Sequence, residues 1–256
     1  MLLHVEKVSK NYGSHSVLCD VTFTVQAGES VGLIGTSGSG KSTLSRCILG
    51  LELVDAGQIQ LCDLSWQTAS CREVTQMRQR IQAVFQDSAE SFNPRWTLAD
   101  SILEPLRHFR LIEPYDERAK LEHLFDIVQL PHTCMASYPR ELSGGQKQRA
   151  AIARSLSLNP QLILLDEATT ALDTITQHHI VDMLKSYHRD QSMAFLIISH
   201  DLSVVSKLCD RILVLSEGTI VDSFNGNELF DDSRHPYTIA LRDAFVEKGR
   251  FLHGVD

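Results

Sequence analysis

Long hydrophobic runs are missing from this 256-residue chain. No apolar stretch approaches the roughly 18–20 residues that cross a bilayer as a helix, so membrane attachment is expected only through other proteins. A positive surplus is missing as well. Lys and Arg number 24 against 32 Asp and Glu, a formal net charge of −8. That balance argues against a mainly electrostatic grip on DNA, RNA or anionic lipid, and no nucleic-acid partner is expected. The six cysteines are scattered at 19, 47, 62, 71, 134 and 209 without a C-x-x-C pair. They read as reduced thiols rather than zinc or cluster ligands. Eleven histidines include one adjacent pair, His178-His179, whose rings would diverge on a helix and chelate poorly. Repeats and low-complexity segments are absent. The start, M-L-L-H-V-E-K, has neither the basic nor the long apolar stretch of a signal peptide, which sets the expectation of a cytoplasmic protein.

Hydrophobic residues make up 43% of the chain, enough for the core of one domain carrying an inserted subdomain. Residues L-H-V-E-K-V and V-L-C-D-V-T-F-T-V alternate as strands up to Ala27-Gly28. V-G-L-I-G (31–35) reads as a buried strand entering a glycine loop, and Lys41 to Leu51 has helical spacing. Further strands are predicted at Q-I-Q-L (58–61), I-Q-A-V-F-Q (81–86), L-I-L-L (162–165), A-F-L-I-I-S (194–199), R-I-L-V-L (211–215) and T-I-V-D (219–222). Residues 87–158 differ, being proline-rich with amphipathic runs such as L-E-H-L-F-D-I-V (121–128), and read as a helical insertion. Strands alternating with helices predict an α/β fold with a mostly parallel sheet covered on both faces. The tail beyond Tyr237 reads as an amphipathic helix and a loose end.

Two motifs carry chemistry directly. G-T-S-G-S-G-K-S (35–42) follows a strand and opens a helix, the setting in which glycines let backbone N–H groups close around phosphate. In this reading Gly35, Ser37, Gly38, Gly40 and Thr43 line the phosphates, Lys41 reaches the β- and γ-phosphates, and Ser42 ligates Mg²⁺. In L-I-L-L-D-E (162–167), four apolar residues place two carboxylates at a strand end. Asp166 is expected to hold Mg²⁺, and Glu167 to orient and polarise an attacking water. A third motif, Leu142-Ser143-Gly144-Gly145-Gln146, lies 20 residues before Asp166 and opens a helix expected to run to about Leu158. Its hydroxyl, amides and helix dipole are suited to a phosphate.

The order of these three motifs resembles the ATP-binding cassette ATPases, and Y-P-R-E-L-S-G-G-Q-K-Q-R-A-A-I-A-R-S-L (138–156) resembles the signature of an importer subunit in that superfamily. The resemblance implies a nucleotide-hydrolase (RecA-like) core with an antiparallel β subdomain and an inserted helical signature subdomain at 87–158. It implies that Ser143, Gly145 and Gln146 complete the ATP site of a second subunit. Tyr12 resembles the adenine-stacking aromatic, with a strand-end core tyrosine as the rival reading. Gln86 resembles the glutamine that senses Mg²⁺ and water, Asp173 the aspartate linking the two sites, and His200 the switch histidine at the γ-phosphate.

V-F-Q-D-S-A-E-S-F-N-P-R-W-T-L (84–98) and H-P-Y-T (235–238), the latter in a C-terminal extension spanning 225–256, are similar to oligopeptide, dipeptide and nickel importer ATPases. D-S with N-P-R, and E-P-L-R-H (104–108), lean toward the nickel type. Thr36 and Thr170 stand where other residues are more usual, without supplying essential chemistry. No cysteine follows Cys209, so no iron–sulfur cluster is expected.

The implied partners are a second cassette, identical or paralogous, two membrane permeases and an extracytoplasmic solute-binding protein, at the cytoplasmic face of the inner membrane. A DNA-repair ATPase would need long coiled coils or zinc modules between the motifs, a translation factor two cassettes, and an exporter half fused membrane helices. Phe92 and Trp96 fit either a permease-docking surface or packing within the helical insertion.

Overall fold

The structure, a computed structural model, describes residues 1–86, 91–168, 174–191 and 193–247. In chain order its elements are β1 (Leu3–Tyr12), β2 (His15–Val25), β3 (Ser30–Ile34), α1 (Lys41–Ile48), β4 (Ala56–Leu61), β5 (Leu64–Ser65), α2 (Cys71–Arg80), β6 (Ile81–Phe85), α3 (Leu98–His108), α4 (Glu117–Ile127) and α5 (Gly144–Ser157). There follow β7 (Leu162–Asp166), α6 (Thr174–Gln191), β8 (Ala194–Ile198), α7 (Leu202–Leu208), β9 (Arg211–Ser216), β10 (Thr219–Asn225) and α8 (Pro236–Glu247).

The alternating N-terminal segments form an antiparallel sheet in the order β2-β1-β4-β5. Inward residues Leu3, Val5, Val8, Leu18, Ile59 and Leu61 are buried, while the intervening side chains reach solvent more often. The second sheet has the order β10-β9-β3-β8-β7-β6, with all strands parallel except β10, which returns antiparallel to β9.

Its strands are apolar almost throughout because both faces are covered. Leu162 and Leu164 of β7 join the core shared with the antiparallel sheet and α1; Ile163 and Leu165 join the core shared with α5, α6 and α7. In β8, Leu196 and Ile198 take the first face and Phe195 and Ile197 the second.

Between β6 and β7, α3 buries Leu98, Ile102, Leu103 and Leu106, one helical stripe, against Leu121, Leu124 and Phe125 of α4 and Ile152 and Leu156 of α5. Thr97 caps α3, and Ser143 caps α5 in a reciprocal box with Gln146. Phe92 is buried beneath α5, with the Arg154 guanidinium 4.7 Å from its ring centre, whereas Trp96 is 42% exposed. Packing within the helices therefore accounts for Phe92 and leaves Trp96 on the surface. Among the described residues no helix is long and apolar enough to cross a membrane. The six cysteines are free.

The parallel register decides where function can sit. Leu33 pairs with Ile198, Ile198 with Asp166, and Asp166 with Phe85. The loops leaving β3, β8, β7 and β6 therefore emerge along one carboxyl edge, the place where open α/β sheets bind ligands.

Candidate active site

That edge holds a cavity of about 310 Å³ lined by Val17, Gly35, Ser37, Gly38, Gly40, Lys41, Ser42, Thr43, Asp166, Glu167 and His200. Residues from three segments singled out in the sequence, 35–43, 166–167 and 200, thus share one wall with Val17.

The loop at 35–42 is shaped by two glycines in particular. Gly40 caps α1 with φ 106°, a left-handed conformation, and a Cβ there would lie 2.8 Å from the Val17 carbonyl. A Cβ on Gly35 would lie 2.2 Å from the Leu215 carbonyl. The loop is also tied across its base, with Gly218 N–H donating to the Ser39 carbonyl at 3.1 Å.

Lys41 is 8% exposed, and a buried cation must find acceptors. Its Nζ donates to the Gly35 carbonyl at 2.8 Å and the Thr36 carbonyl at 2.7 Å. The sequence expectation pointed this side chain at phosphates; here it closes the loop upon itself. Burial lowers its pKa, against the opposing charges of Glu167, Tyr237 and Asp166.

Asp166 ends β7, and its Oδ2 accepts from Ser45 Oγ at 3.1 Å. Burial raises the pKa of this carboxyl, the Ser45 bond lowers it, and the neighbouring Glu167 charge raises it. Glu167 turns out of the strand with φ 50°, its N–H donating to the Ile198 carbonyl at 2.9 Å. Its Oε1 lies 3.2 Å from His200 Nδ1. The carboxylate and the imidazole, 33 positions apart in sequence, thus meet at the pocket rim.

Other expected site residues stand apart from this wall. Gln86 is exposed and follows Phe85, the partner of Asp166, so it leaves the sheet at the same edge without lining the cavity. Tyr12 is 47% exposed; its hydroxyl bonds to Glu52, and that bond raises its pKa. The strand-end core reading is excluded by that exposure.

Ser143, Gly145 and Gln146 sit at the other end of the helical region. Ser143 and Gly144 are exposed, and a Cβ on Gly144 would meet nothing within 4 Å. Ser143 Oγ accepts from Gln146 N–H at 3.2 Å, and Gln146 Oε1 accepts from Ser143 N–H at 2.9 Å. None of the three lines this chain's own cavity. Their helix is nevertheless joined to the pocket strand, since buried Gln148 donates to the carbonyl of Ala168, next to Glu167, at 2.5 Å. Asp173 and Thr170 lie outside the described residues.

Three contributors were not read from the sequence. Ser45 sits one turn along α1 from Ser42, and that i,i+3 spacing on the phosphate helix was the available signal. Val17 comes from the antiparallel sheet. Tyr237 hydrogen-bonds Thr36 of the phosphate loop.

Known proteins match this arrangement. A family model described as ABC transporter matches residues 18–170. The oligopeptide transport ATP-binding protein OppF of Lactococcus lactis is 41% identical over 224 residues, 88% of this chain and 70% of that protein. OppF of Haemophilus influenzae is 37% identical over 226 residues, 88% of this chain and 68% of that protein. Among solved structures, the ATP-binding cassette MJ0796, a dimer in a post-hydrolysis state bound to ADP and Pi, superposes with a TM-score of 0.80. It is 28% identical, over 88% of this chain and 98% of that one. On the family match, the relatives and the phosphate-loop geometry together, this chain belongs to the ABC transporter family, as one of its ATP-binding, ATP-hydrolysing cassettes.

Proposed function

We propose that the chain powers peptide import as one ATPase subunit of a membrane transporter, and that it acts as a nucleotide-sandwich dimer with a second, similar cassette. The observation that carries the dimer is the Ser143–Gln146 cap, a ready phosphate site with Ser143 and Gly144 exposed and outside the cavity of its own chain. The dimeric MJ0796 cassette supports the same assembly. Peptide cargo is supported by the relatives named for oligopeptide transport; the nickel lean rests on the D-S, N-P-R and E-P-L-R-H residues alone.

In this reading ATP lies along residues 35–43, with adenine against the half-exposed Tyr12 ring. Lys41 leaves the loop carbonyls for the phosphates, a buried cation exchanging neutral acceptors for charged ones. Glu167 takes a proton from the water that attacks the γ-phosphorus, and His200 beside it holds the γ-phosphate side. The donor set fits Mg²⁺, because the Ser42 hydroxyl and the Asp166 carboxylate share the cavity and are hard oxygen ligands. Gln86, at the next strand end, would join them, and the ion would offset phosphate charge. Ser143, Gly145 and Gln146 would meet the γ-phosphate held by the second cassette, and Asp173 would link the two sites.

Residues 87–158 form the inserted helical subdomain in this proposal, and 225–256 a C-terminal extension. Trp96, Asp100, Glu104, Arg107 and His108 line a surface groove. We assign that groove to one of two permeases, which hold the cassette at the cytoplasmic face of the membrane and receive cargo from an extracytoplasmic solute-binding protein.

The decisive experiment is reconstitution with the permeases and peptide-uptake measurement. ATP-dependent uptake that fails with Trp96→Ala, at unchanged ATP affinity and melting temperature, supports the reading. Uptake indifferent to Trp96→Ala removes the groove from docking, and ATP hydrolysis that never drives uptake sinks the transport assignment.

A further inference from the structure

Tyr237 reaches the phosphate loop from a segment about 200 residues away. Thr36 N–H donates to its phenolic oxygen at 3.1 Å, and the two hydroxyls lie 2.8 Å apart. The carbonyl of the same Thr36 accepts from Lys41 Nζ at 2.7 Å. One exposed loop residue is therefore gripped from two sides, by Lys41 and by the H-P-Y-T segment.

The tyrosine sits on a fixed mount. His235 N–H and Thr238 Oγ1 both donate to Asp222 Oδ2 of β10, at 3.0 and 2.8 Å, and Thr238 is 1% exposed. Tyr237 N–H donates to His235 Nδ1 at 3.2 Å, and its ring packs against the core. The far side of the loop has its own tie, from Gly218 to Ser39. Thr36, which stands where another residue is more usual, thus acquires a role as the receiver of Tyr237.

We propose that Tyr237 is a positioning residue of the ATP site, holding the entry of the phosphate loop through Thr36, so that the C-terminal segment sets nucleotide affinity. The proposal rests on the reading of residues 35–42 as the phosphate loop. A loop already held in its binding shape loses less conformational freedom when ATP arrives. Turnover of bound ATP belongs to Glu167, on another strand end, and should be little affected.

The test is Tyr237→Phe, which keeps the ring and removes the oxygen. In the full chain without nucleotide, the Thr36 amide should exchange with solvent faster than in the unaltered protein. The KM for ATP should rise about 3- to 10-fold, the range of one net hydrogen bond, with kcat within about twofold and Tm nearly unchanged. Combined with Thr36→Val, the two losses should be less than additive, because both cut one contact. Unchanged Thr36 exchange would overturn the tie, and faster exchange with an unchanged KM would overturn its role in affinity. Failure of the unaltered chain to bind ATP would overturn the phosphate-loop reading, an outcome distinct from both.

Discussion

The two phosphate-suited ends of this molecule are built alike and finished differently. Both are helix N-termini with glycine at the start, Gly40 capping α1 and Gly144-Gly145 opening α5 behind the Ser143 cap. Around Gly40 the chain supplies the rest of the site, with Lys41, Ser42, Asp166, Glu167 and His200 closing on one cavity. Around Ser143 it supplies only the capping box, with Ser143 and Gly144 open to solvent. A helix terminus attracts anions anywhere; chemistry requires the converging strand ends that only the first has. The second lacks them, and its helix is joined to the first through the Gln148–Ala168 hydrogen bond.

The sharpest break in this comparison is Glu167→Gln. Replacing the carboxylate by an amide should cut turnover roughly 10²–10⁴-fold while ATP still binds. Size-exclusion chromatography with ATP should then trap a dimer. A monomer under those conditions would mean that the Ser143 end serves no second copy.

Phe92→Ala probes the support of the Ser143 end, since Phe92 lies under Arg154 of α5. Losing this buried ring should cost about 3–5 kcal/mol, read as a fall in chemical-denaturation midpoint. The same experiment on exposed Trp96→Ala should give a change within about 0.5 kcal/mol.

Lys41→Ala acts on the other end. It removes the donor to the Gly35 and Thr36 carbonyls and the charge facing phosphate, so ATP affinity measured by fluorescent-nucleotide titration should fall roughly 10- to 100-fold. Ser143→Ala is milder than the Glu167, Phe92 and Lys41 replacements. Loss of the cap should cost about 1 kcal/mol of stability and leave ATP affinity of the isolated chain unchanged, while lowering hydrolysis by the dimer. An affinity loss in the isolated chain would show that the two ends are not separate.

Much of the first end was legible because its motifs are contiguous. A loop that must pass close to the Leu215 carbonyl and turn left-handed before a helix writes its glycines in one short run, and a buried strand ending in two acids writes L-I-L-L-D-E. The strands of the parallel sheet were legible for the same reason, since burial on both faces leaves unbroken apolar runs. The helix Cys71–Arg80 was not read, although its Ser70–Glu73 capping box was present. Phe92 and Trp96 stand four positions apart in one polar stretch, and nothing local distinguishes the buried ring from the exposed one.

The sequence by itself determined the family, the phosphate loop, the two carboxylates and the order of the strands along the chain. Tertiary structure alone decided that Glu167 meets His200, that Ser45 holds Asp166, that Lys41 closes on its own loop, and that Tyr237 reaches Thr36. The division has a physical cause. Backbone conformation and burial period are set by neighbours a few residues away and leave a local pattern. Contacts between strand ends depend on which strands lie side by side, β3 beside β8 and β9 rather than its neighbours in sequence, and that order is fixed only when both faces of the sheet are covered.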